Sequence, residues 1–143
     1  HALIPGSVLY VSLEPCAHFG KTPPCADLII EHGIREVVVG CRDPFPEVNG
    51  RGIEKLRSAG IVVREGVEEK SCRDINKRFF TFHEKQRPYI ILKWAQSGNR
   101  KIASLGKERL MITNDFSNRL VHKWRSEESA ILVGTNTALA DDR

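Results

Sequence analysis

The stretch VLYVSLEPCAHFGKTPPC, Val8 to Cys25, decides how the first half of this chain folds. Its opening residues alternate between the two faces of a predicted β-strand, which Pro15 then ends. Cys16 follows that break directly, a loop leads to Cys25, and the run 26–32 predicts a helix. Thiols near a helix N-terminus have lowered pKa values, and two thiolates are suitable ligands for Zn²⁺. The stretch therefore predicts a pair of metal-binding thiols between a strand and a helix.

Composition and charge narrow the class of protein. Of the 143 residues, 41% are hydrophobic and 28% charged, and no apolar run approaches the roughly 18 residues that a membrane span needs. The net charge of +4 lies within residues 87–143, whereas residues 1–86 are neutral. No basic run interleaved with aromatic residues accompanies this charge, so phosphorylated small molecules explain it as well as nucleic acid does. Four scattered cysteines and the lack of a signal-peptide pattern predict a cytoplasmic protein.

Strands and helices alternate after the first helix. The apolar run 35–40 predicts a buried strand, a Pro/Gly-rich loop follows at 42–52, a helix is predicted at 53–59, and a last strand at 61–65. Short connections between such elements are typical of parallel βαβ units with right-handed crossovers.

One long helix, predicted at 68–84, completes the first half of the chain. Its phenylalanines make a partly apolar face, and we expect Cys72 to pack beside that face. Cys41, just before the Pro/Gly-rich loop, is interpreted as a buried free thiol, with a substitute metal ligand as the alternative. Because Pro88 ends any helix, the polar stretch before it predicts a domain boundary, with domains at 1–86 and 87–143.

The longer pattern L-E-P-C-x-H-x-G-x-T-P-P-C at 13–25 resembles the pyrimidine deaminase of riboflavin biosynthesis, a zinc deaminase. The loop D-P-F-P-E-V-N-G-R-G resembles the same family's D-P-N-P-x-V-x-G-x-G, with Phe45 in the Asn position. The resemblance implies a cytidine-deaminase-like three-layer α/β domain, of which 1–86 is the C-terminal part. It also implies that Cys16 and Cys25 bind zinc. A structural zinc loop and a pair of buried free thiols are the alternative interpretations.

The resemblance implies a phosphorylated pyrimidine substrate, 2,5-diamino-6-ribosylamino-4(3H)-pyrimidinone 5′-phosphate. His18 and Lys21 match family positions that contact this substrate, and a lysine suits the ribose phosphate. A substitute zinc ligand is the alternative for His18, and a solvated loop lysine is the alternative for Lys21.

Zinc deaminases also carry an upstream H-x-E, in which His is a metal ligand and Glu carries protons. His1-Ala2-Leu3 has Leu3 where that Glu would stand, so we interpret His1 as a loop histidine. The sequence therefore identifies no catalytic residue, and we expect this chain alone not to deaminate.

The second half begins a new unit. Strands are predicted at 89–95, with a buried apolar start, and at 130–134, and the stretch 110–113 lies between them. A helix that Asn114 or Asp115 could cap runs to Arg125, and a turn with a short helix follows at 135–142.

Four pieces of the second half are similar to the reductase domain that follows the deaminase in the bifunctional riboflavin enzyme. They are P-Y-I-I-L-K-x-A-x-S at 88–97, K-I-A at 101–103, I-T at 112–113, and A-I-L-V-G-T-N-T-A-L-A-D-D at 130–142. This similarity implies the start of a dihydrofolate-reductase-like α/β domain that uses NADPH. Because the chain begins with His1 and the pattern breaks off at Arg143, we interpret it as a piece truncated at both ends.

By position in that family, the cofactor-contacting residues are Ala95, Met111, Thr137 and Asp141, and the substrate-contacting residues are Arg109 and Arg125. An arginine can bind phosphate with two parallel hydrogen bonds. The alternative for Arg125 is a solvated helix arginine paired with a nearby Glu, and Met111 could equally belong to the core. Gly98-Asn99-Arg100 replaces the family's usual S-L-D-G turn, and Arg109 stands where the family usually has Ser.

The leading interpretation is an enzyme of riboflavin biosynthesis that uses Zn²⁺ and NADPH on a small phosphorylated pyrimidine. We expect no nucleic-acid or membrane partner, and a homo-oligomer for the full-length enzyme. A stand-alone nucleoside or tRNA deaminase and an inactive zinc-binding scaffold are the alternatives. Because a partial sheet leaves an apolar face uncovered, we expect Ile90, Leu92, Ile131 and Val133 to be exposed on at least one side.

Overall fold

The computed structural model describes residues 4–104 and 110–141, and it divides the chain into two compact units, His1–Ile90 and Ile91–Arg143. A short 3₁₀ turn at Ile4–Gly6 precedes the first strand. In chain order, the elements of the first unit are β1 (Val8–Leu13), α1 (Cys25–Glu31), β2 (Glu36–Cys41), α2 (Arg51–Ser58), β3 (Val62–Glu65), α3 (Glu69–Ile75) and α4 (Lys77–Lys85). The second unit holds α5 (Asp115–Ser126) and α6 (Thr135–Asp141).

The sheet of the first unit has three parallel strands in the order β1-β2-β3. Val8 pairs with Glu36, and Glu36 in turn pairs with Val62, so the three strands start level with one another. The predicted parallel βαβ units are therefore confirmed. In such a sheet all strands end at the same edge, which brings the segments after β1 and β2 together.

Helices cover both faces of this sheet. Side chains of α1 and α2 form the main core with one face of β2 and β3: Ala26, Ile29, Val37, Val39, Ile53, Leu56, Ile61 and Val63, each at most 9% exposed. On the opposite face, α3 packs against β1 and β2, where Gly40 leaves room for Cys72. The first unit thus has three layers, helix, sheet and helix.

The long helix predicted at 68–84 is two helices, which corrects the prediction. The chain turns at Asn76, which ends α3 and precedes α4. The Asn76 side chain donates hydrogen bonds to the Cys72 carbonyl oxygen at 2.9 Å and to the Ser12 hydroxyl at 3.5 Å. Asparagine bonds readily to nearby backbone groups, and here such a bond accompanies the interruption of the helix.

The two predicted helices of the second unit are confirmed. Asn114 caps α5, because its side-chain oxygen accepts a hydrogen bond from the Ser117 N–H at 2.9 Å. None of the helices that the structure describes is both long and apolar enough to cross a membrane.

The strands predicted at 89–95 and 130–134 are wrong for this structure. Within 4–104 and 110–141, these segments belong to no strand, since no neighbouring segment pairs with them. The apolar start of the first segment is not buried either, because Ile91 is 45% exposed. The expected exposure of four apolar residues is confirmed: Ile90 is 61%, Leu92 79%, Ile131 57% and Val133 52% exposed.

Candidate metal and substrate site

The two cysteines of the opening stretch meet at the carboxyl-end edge of the sheet. Cys16 follows β1 in the loop, and Cys25 is the first residue of α1. The backbone N–H of Cys25 donates a hydrogen bond to the Cys16 Sγ at 3.3 Å, and the Ala26 N–H donates to the Cys16 carbonyl oxygen at 3.1 Å. The loop therefore closes on itself and places both thiols at the N-terminus of one helix.

The thiol pair fits a soft metal ion, although its pKa differs from the prediction. A hydrogen bond to Cys16 and burial raise the pKa of Cys25, whereas the helix N-terminus had predicted a lowered pKa. A neutral thiol can donate a hydrogen bond and a thiolate cannot, so the hydrogen bond to Cys16 favours the neutral form of Cys25. Both cysteines are free, and two sulfur donors suit Zn²⁺. Among the described residues, no group of three or more candidate ligands is found.

Glu14 is a buried carboxylate that holds the edge of the site together. It is 4% exposed and accepts four backbone hydrogen bonds. Its Oε2 accepts from Asp43 at 3.2 Å and Gly50 at 2.9 Å, and its Oε1 accepts from Gly52 at 2.9 Å and Ile53 at 3.3 Å. These donors belong to the Pro/Gly-rich loop and the first turn of α2, where helix N–H groups lack partners of their own.

Two glycines shape the loop around this carboxylate. Gly50 precedes α2 with φ of 88°, in the left-handed region that favours glycine. At Gly52 a Cβ would overlap the carbonyl oxygen of Pro15 and lie 3.3 Å from Glu14 Oε1. The sequence motif contains Glu14 but does not by itself indicate this function. A charged residue directly after an apolar strand is the signal that could have revealed it, since a buried carboxylate needs donors.

The loop after β2 lies next to the loop that carries the thiols, since Asp43 bonds to Glu14 and Phe45 contacts His18. Asp43 is 7% exposed, and its Oδ1 accepts a hydrogen bond from the Phe45 N–H at 2.8 Å. Burial raises the pKa of Asp43, and the nearby Glu14 raises it further, while the Phe45 N–H and the imidazoles of His83 and His18 act in the other direction. Two carboxylates and two imidazoles are therefore near one another at this edge.

His18 contacts an aromatic side chain, and in the described part of the chain it belongs to no group of three or more metal ligands. Its ring centroid is 6.1 Å from that of Phe45, which is in turn 5.2 Å from His83 of α4. His83 also packs against Phe79 at 4.4 Å. The Nδ1 atom of His18 is buried and lacks a hydrogen-bond partner in the part of the chain that the structure describes. A polar ligand could supply a hydrogen-bond partner for this atom. Lys21, on the same loop, is exposed.

His83 is a second residue of this edge that sequence reasoning missed. A lone histidine on a phenylalanine-rich helix face was the available signal. Phe45 replaces the family's usual Asn, and its ring lies between the two imidazoles, so an aryl group takes the place of a polar side chain.

The other two cysteines stand apart from the thiol pair. Cys41 is 3% exposed and its thiol donates a hydrogen bond to the Ser12 carbonyl oxygen at 3.0 Å. Burial raises the pKa of Cys41 to about 11. Cys72 packs over Gly40 on the opposite face of the sheet. The interpretation of both as packed free thiols agrees with these contacts.

The residues predicted for the reductase site are spread over the second unit. Ala95 is half-buried in an irregular segment, and Met111 is 62% exposed. Thr137 is exposed on α6, of which Asp141 is the last residue, and Arg125 is exposed in the last turn of α5. His1, Leu3 and Arg109 lie outside the described residues, and so does the side chain of Asp141.

Two family models match this chain in succession. Residues 2–41 match the zinc-binding region of cytidine and deoxycytidylate deaminases, and residues 88–143 match the RibD C-terminal domain. The riboflavin biosynthesis protein RibD of Aquifex aeolicus is 51% identical over 96% of this chain, which spans 38% of that relative. RibD of Escherichia coli is 40% identical over 96% of the chain, which spans 37% of it. The chain thus spans somewhat more than a third of these relatives.

Solved structures agree with the sequence comparisons. A diaminohydroxyphosphoribosylaminopyrimidine deaminase/5-amino-6-(5-phosphoribosylamino)uracil reductase from Thermotoga maritima has a TM-score of 0.87, with 46% identity, and the match covers 96% of this chain and 39% of that one. RibD of Acinetobacter baumannii has a TM-score of 0.88, with 39% identity, over 94% of this chain and 38% of that one. The predicted α/β fold class is confirmed. The chain belongs to the RibD family of riboflavin biosynthesis proteins.

Proposed function

We propose that this chain takes part in riboflavin biosynthesis as part of a pyrimidine deaminase joined to a reductase. The observation that carries the proposal is the meeting of Cys16 and Cys25 at the start of α1, in a chain that belongs to the RibD family. The substrate class is a small phosphorylated pyrimidine. We place the enzyme in the cytoplasm and expect the whole protein to form a homo-oligomer.

For the deaminase half, Cys16 and Cys25 would hold Zn²⁺. When bound in such enzymes, zinc makes a water molecule nucleophilic near neutral pH. The other residues of the edge would bind the substrate. The unpartnered Nδ1 of His18 is a hydrogen-bonding group for a pyrimidine, and Lys21 supplies a positive charge for its phosphate. The ring of Phe45 offers apolar surface beside the imidazole of His18, and His83 packs against Phe45.

For the reductase half, we propose that Ala95, Met111, Thr137 and Asp141 contribute to an NADPH site. Arg109 and Arg125 would contribute to binding of the substrate phosphate, for which a guanidinium is suited. The domain boundary proposed with this assignment lies between residues 86 and 87.

Metal titration tests the deaminase half. We expect the reduced chain to bind Cd²⁺, a soft stand-in for Zn²⁺, with the ultraviolet absorption of a cadmium thiolate. Cys16→Ser and Cys25→Ser should each weaken this binding strongly, whereas Cys41→Ser and Cys72→Ser, the matched controls, should retain it. The same sample should release no ammonia from the pyrimidine substrate, since its sequence contains no H-x-E. Cadmium absorption that survives in the Cys16→Ser/Cys25→Ser double variant would refute the metal assignment.

A further inference from the structure

We propose that Glu14 is a positioning residue. Its hydrogen bonds to the loop at 42–53 hold the thiol pair in a fixed position relative to the Asp43–Phe45 turn. This inference rests on the proposed metal function of Cys16 and Cys25. Glu14 is separated from Cys16 by a single residue, Pro15, whose ring restricts the backbone between them. The backbone positions of Glu14 and Cys16 are therefore closely linked.

The same carboxylate also holds the Asp43–Phe45 turn. Glu14 Oε2 accepts from the backbone of Asp43, the residue that in turn holds Phe45. Phe45 carries the ring that lies beside His18. One side chain thus joins the thiol loop to the Asp43–Phe45 turn, with each of its two oxygens accepting two N–H groups.

The backbone of Glu14 adds a further connection. Its N–H donates a hydrogen bond to the Cys41 carbonyl oxygen at 2.9 Å, where β1 and β2 end. At Gly52 the backbone approaches Pro15 so closely that a Cβ would overlap the Pro15 carbonyl oxygen. The end of β1, the loop at 42–53 and the start of α2 are therefore packed closely around Glu14.

A carboxylate is needed for this function because all four partners are donors. A glutamine at position 14 would keep the shape, yet its NH₂ group would face two N–H groups and could accept from neither. We therefore expect Glu14→Gln to lose two of the four hydrogen bonds and to let the loop at 42–53 move relative to Cys16.

The test compares Glu14→Gln with Val63→Ala, in the intact chain. Val63→Ala opens a cavity beside β3, which among the described strands pairs with β2 alone, and it controls for a general loss of stability. We expect Glu14→Gln to weaken Cd²⁺ binding by about 10- to 100-fold, the range for residues that orient metal ligands. It should also shift the His18 imidazole resonances in proton NMR, because the neighbouring Phe45 ring moves. Val63→Ala should leave both readouts unchanged.

The outcomes separate this inference from the proposed function. If the wild-type chain does not bind Cd²⁺ through its thiol pair, the proposed function fails. If wild type binds but a folded Glu14→Gln variant matches it in affinity and in His18 resonances, the positioning role is refuted. An equal loss of affinity in Val63→Ala also refutes it. Should Glu14→Gln not fold, Glu14→Asp, which keeps the charge but shortens the side chain, is measured against the same criteria.

Discussion

At the scale of single residues, the thiol of Cys41 has a strongly raised pKa. It is nearly inaccessible, and burial raises its pKa to about 11 from an ordinary 9.0. The charged and titratable groups that act on it are Cys72, Arg73, Glu69 and Asp43, and only Arg73 favours the thiolate. The folded state thus keeps this thiol neutral at pH values where the unfolded chain would ionise it.

We therefore predict an alkaline loss of stability that depends on Cys41. A folded-state pKa above the unfolded one stabilises the fold fully below pH 9.0, and this contribution is lost as pH rises toward about 11. Urea unfolding at a series of pH values should show the decline in wild type and a smaller one in Cys41→Ala. An identical pH dependence in both proteins would contradict the assignment.

At the scale of single residues, sequence reasoning succeeded where a side chain's chemistry is local. The sequence predicts a thiol pair at Cys16 and Cys25 because both residues stand beside breaks in secondary structure. The function of Glu14 could not be predicted in this way, since its four hydrogen-bond donors lie 29 to 39 residues further along the chain. The raised pKa of Cys25 was missed for a related reason, as it depends on the hydrogen bond to Cys16 rather than on the helix.

At the scale of elements, α3 packs closely against the sheet because β2 has a glycine, Gly40, at the contact with Cys72. A Cβ at Gly40 would overlap the Cys72 sulfur and lie 2.7 Å from the Cys72 Cβ and 2.9 Å from the Ser12 carbonyl oxygen. The strand has no space for any side chain at this position, so the helix can approach closely.

Gly40→Ala should therefore push α3 away from β2. We expect a loss of about 1–3 kcal/mol in the free energy of unfolding, the usual cost of overpacking a core. Adding Cys72→Ala should restore part of this loss, because it removes the sulfur but not the contact with Ser12. Gly6→Ala, where a Cβ meets nothing within 4 Å, serves as the control in thermal or urea unfolding. A fully stable Gly40→Ala variant would show that the helix is loosely held.

The elements of the first unit were largely predictable because hydrophobic periodicity and Gly/Pro breaks determine them locally. The division at Asn76 was not, since it involves a bond to Ser12 on a distant strand. In the second unit the apolar runs read as strands, yet a strand exists only where another segment pairs with it. Propensity alone could not supply that partner.

Considered as a whole, the chain joins two units of different character. The first has a continuous buried core, whereas in the second Leu132 is fully exposed and Trp94 is 65% exposed. Exposed backbone and few buried apolar contacts correspond to the low-stability end of a protein's structure.

We expect native-state hydrogen exchange to show this difference directly. Amides of β2 should exchange slowly, and those of 91–104 and 110–134 should exchange quickly, with little change on adding NADPH. Amides of α2 serve as an internal reference for the stable unit. Strong protection of the second unit in the absence of a partner, with a clear gain on adding NADPH, would show instead that it is a complete cofactor-binding unit.

The long sequence separation of the Glu14 hydrogen bonds also constrains the order of folding. Its contacts close loops of 29 to 39 residues, whereas the thiol loop closes over nine. The pairing of β1 with β2 already closes 28 residues, as between Leu13 and Cys41, so the Glu14 contacts close little additional chain once the two strands have paired. We therefore expect the Asp43–Phe45 turn to be placed no earlier than this pairing. In pulse-labelled refolding, Gly50 and Gly52 should gain protection no earlier than Val38 and Val39, and earlier protection would contradict this order. On this order, the site is assembled only in molecules in which β1 and β2 have paired, and in less folded chains the two thiols lie in their loop without the Asp43–Phe45 turn beside them.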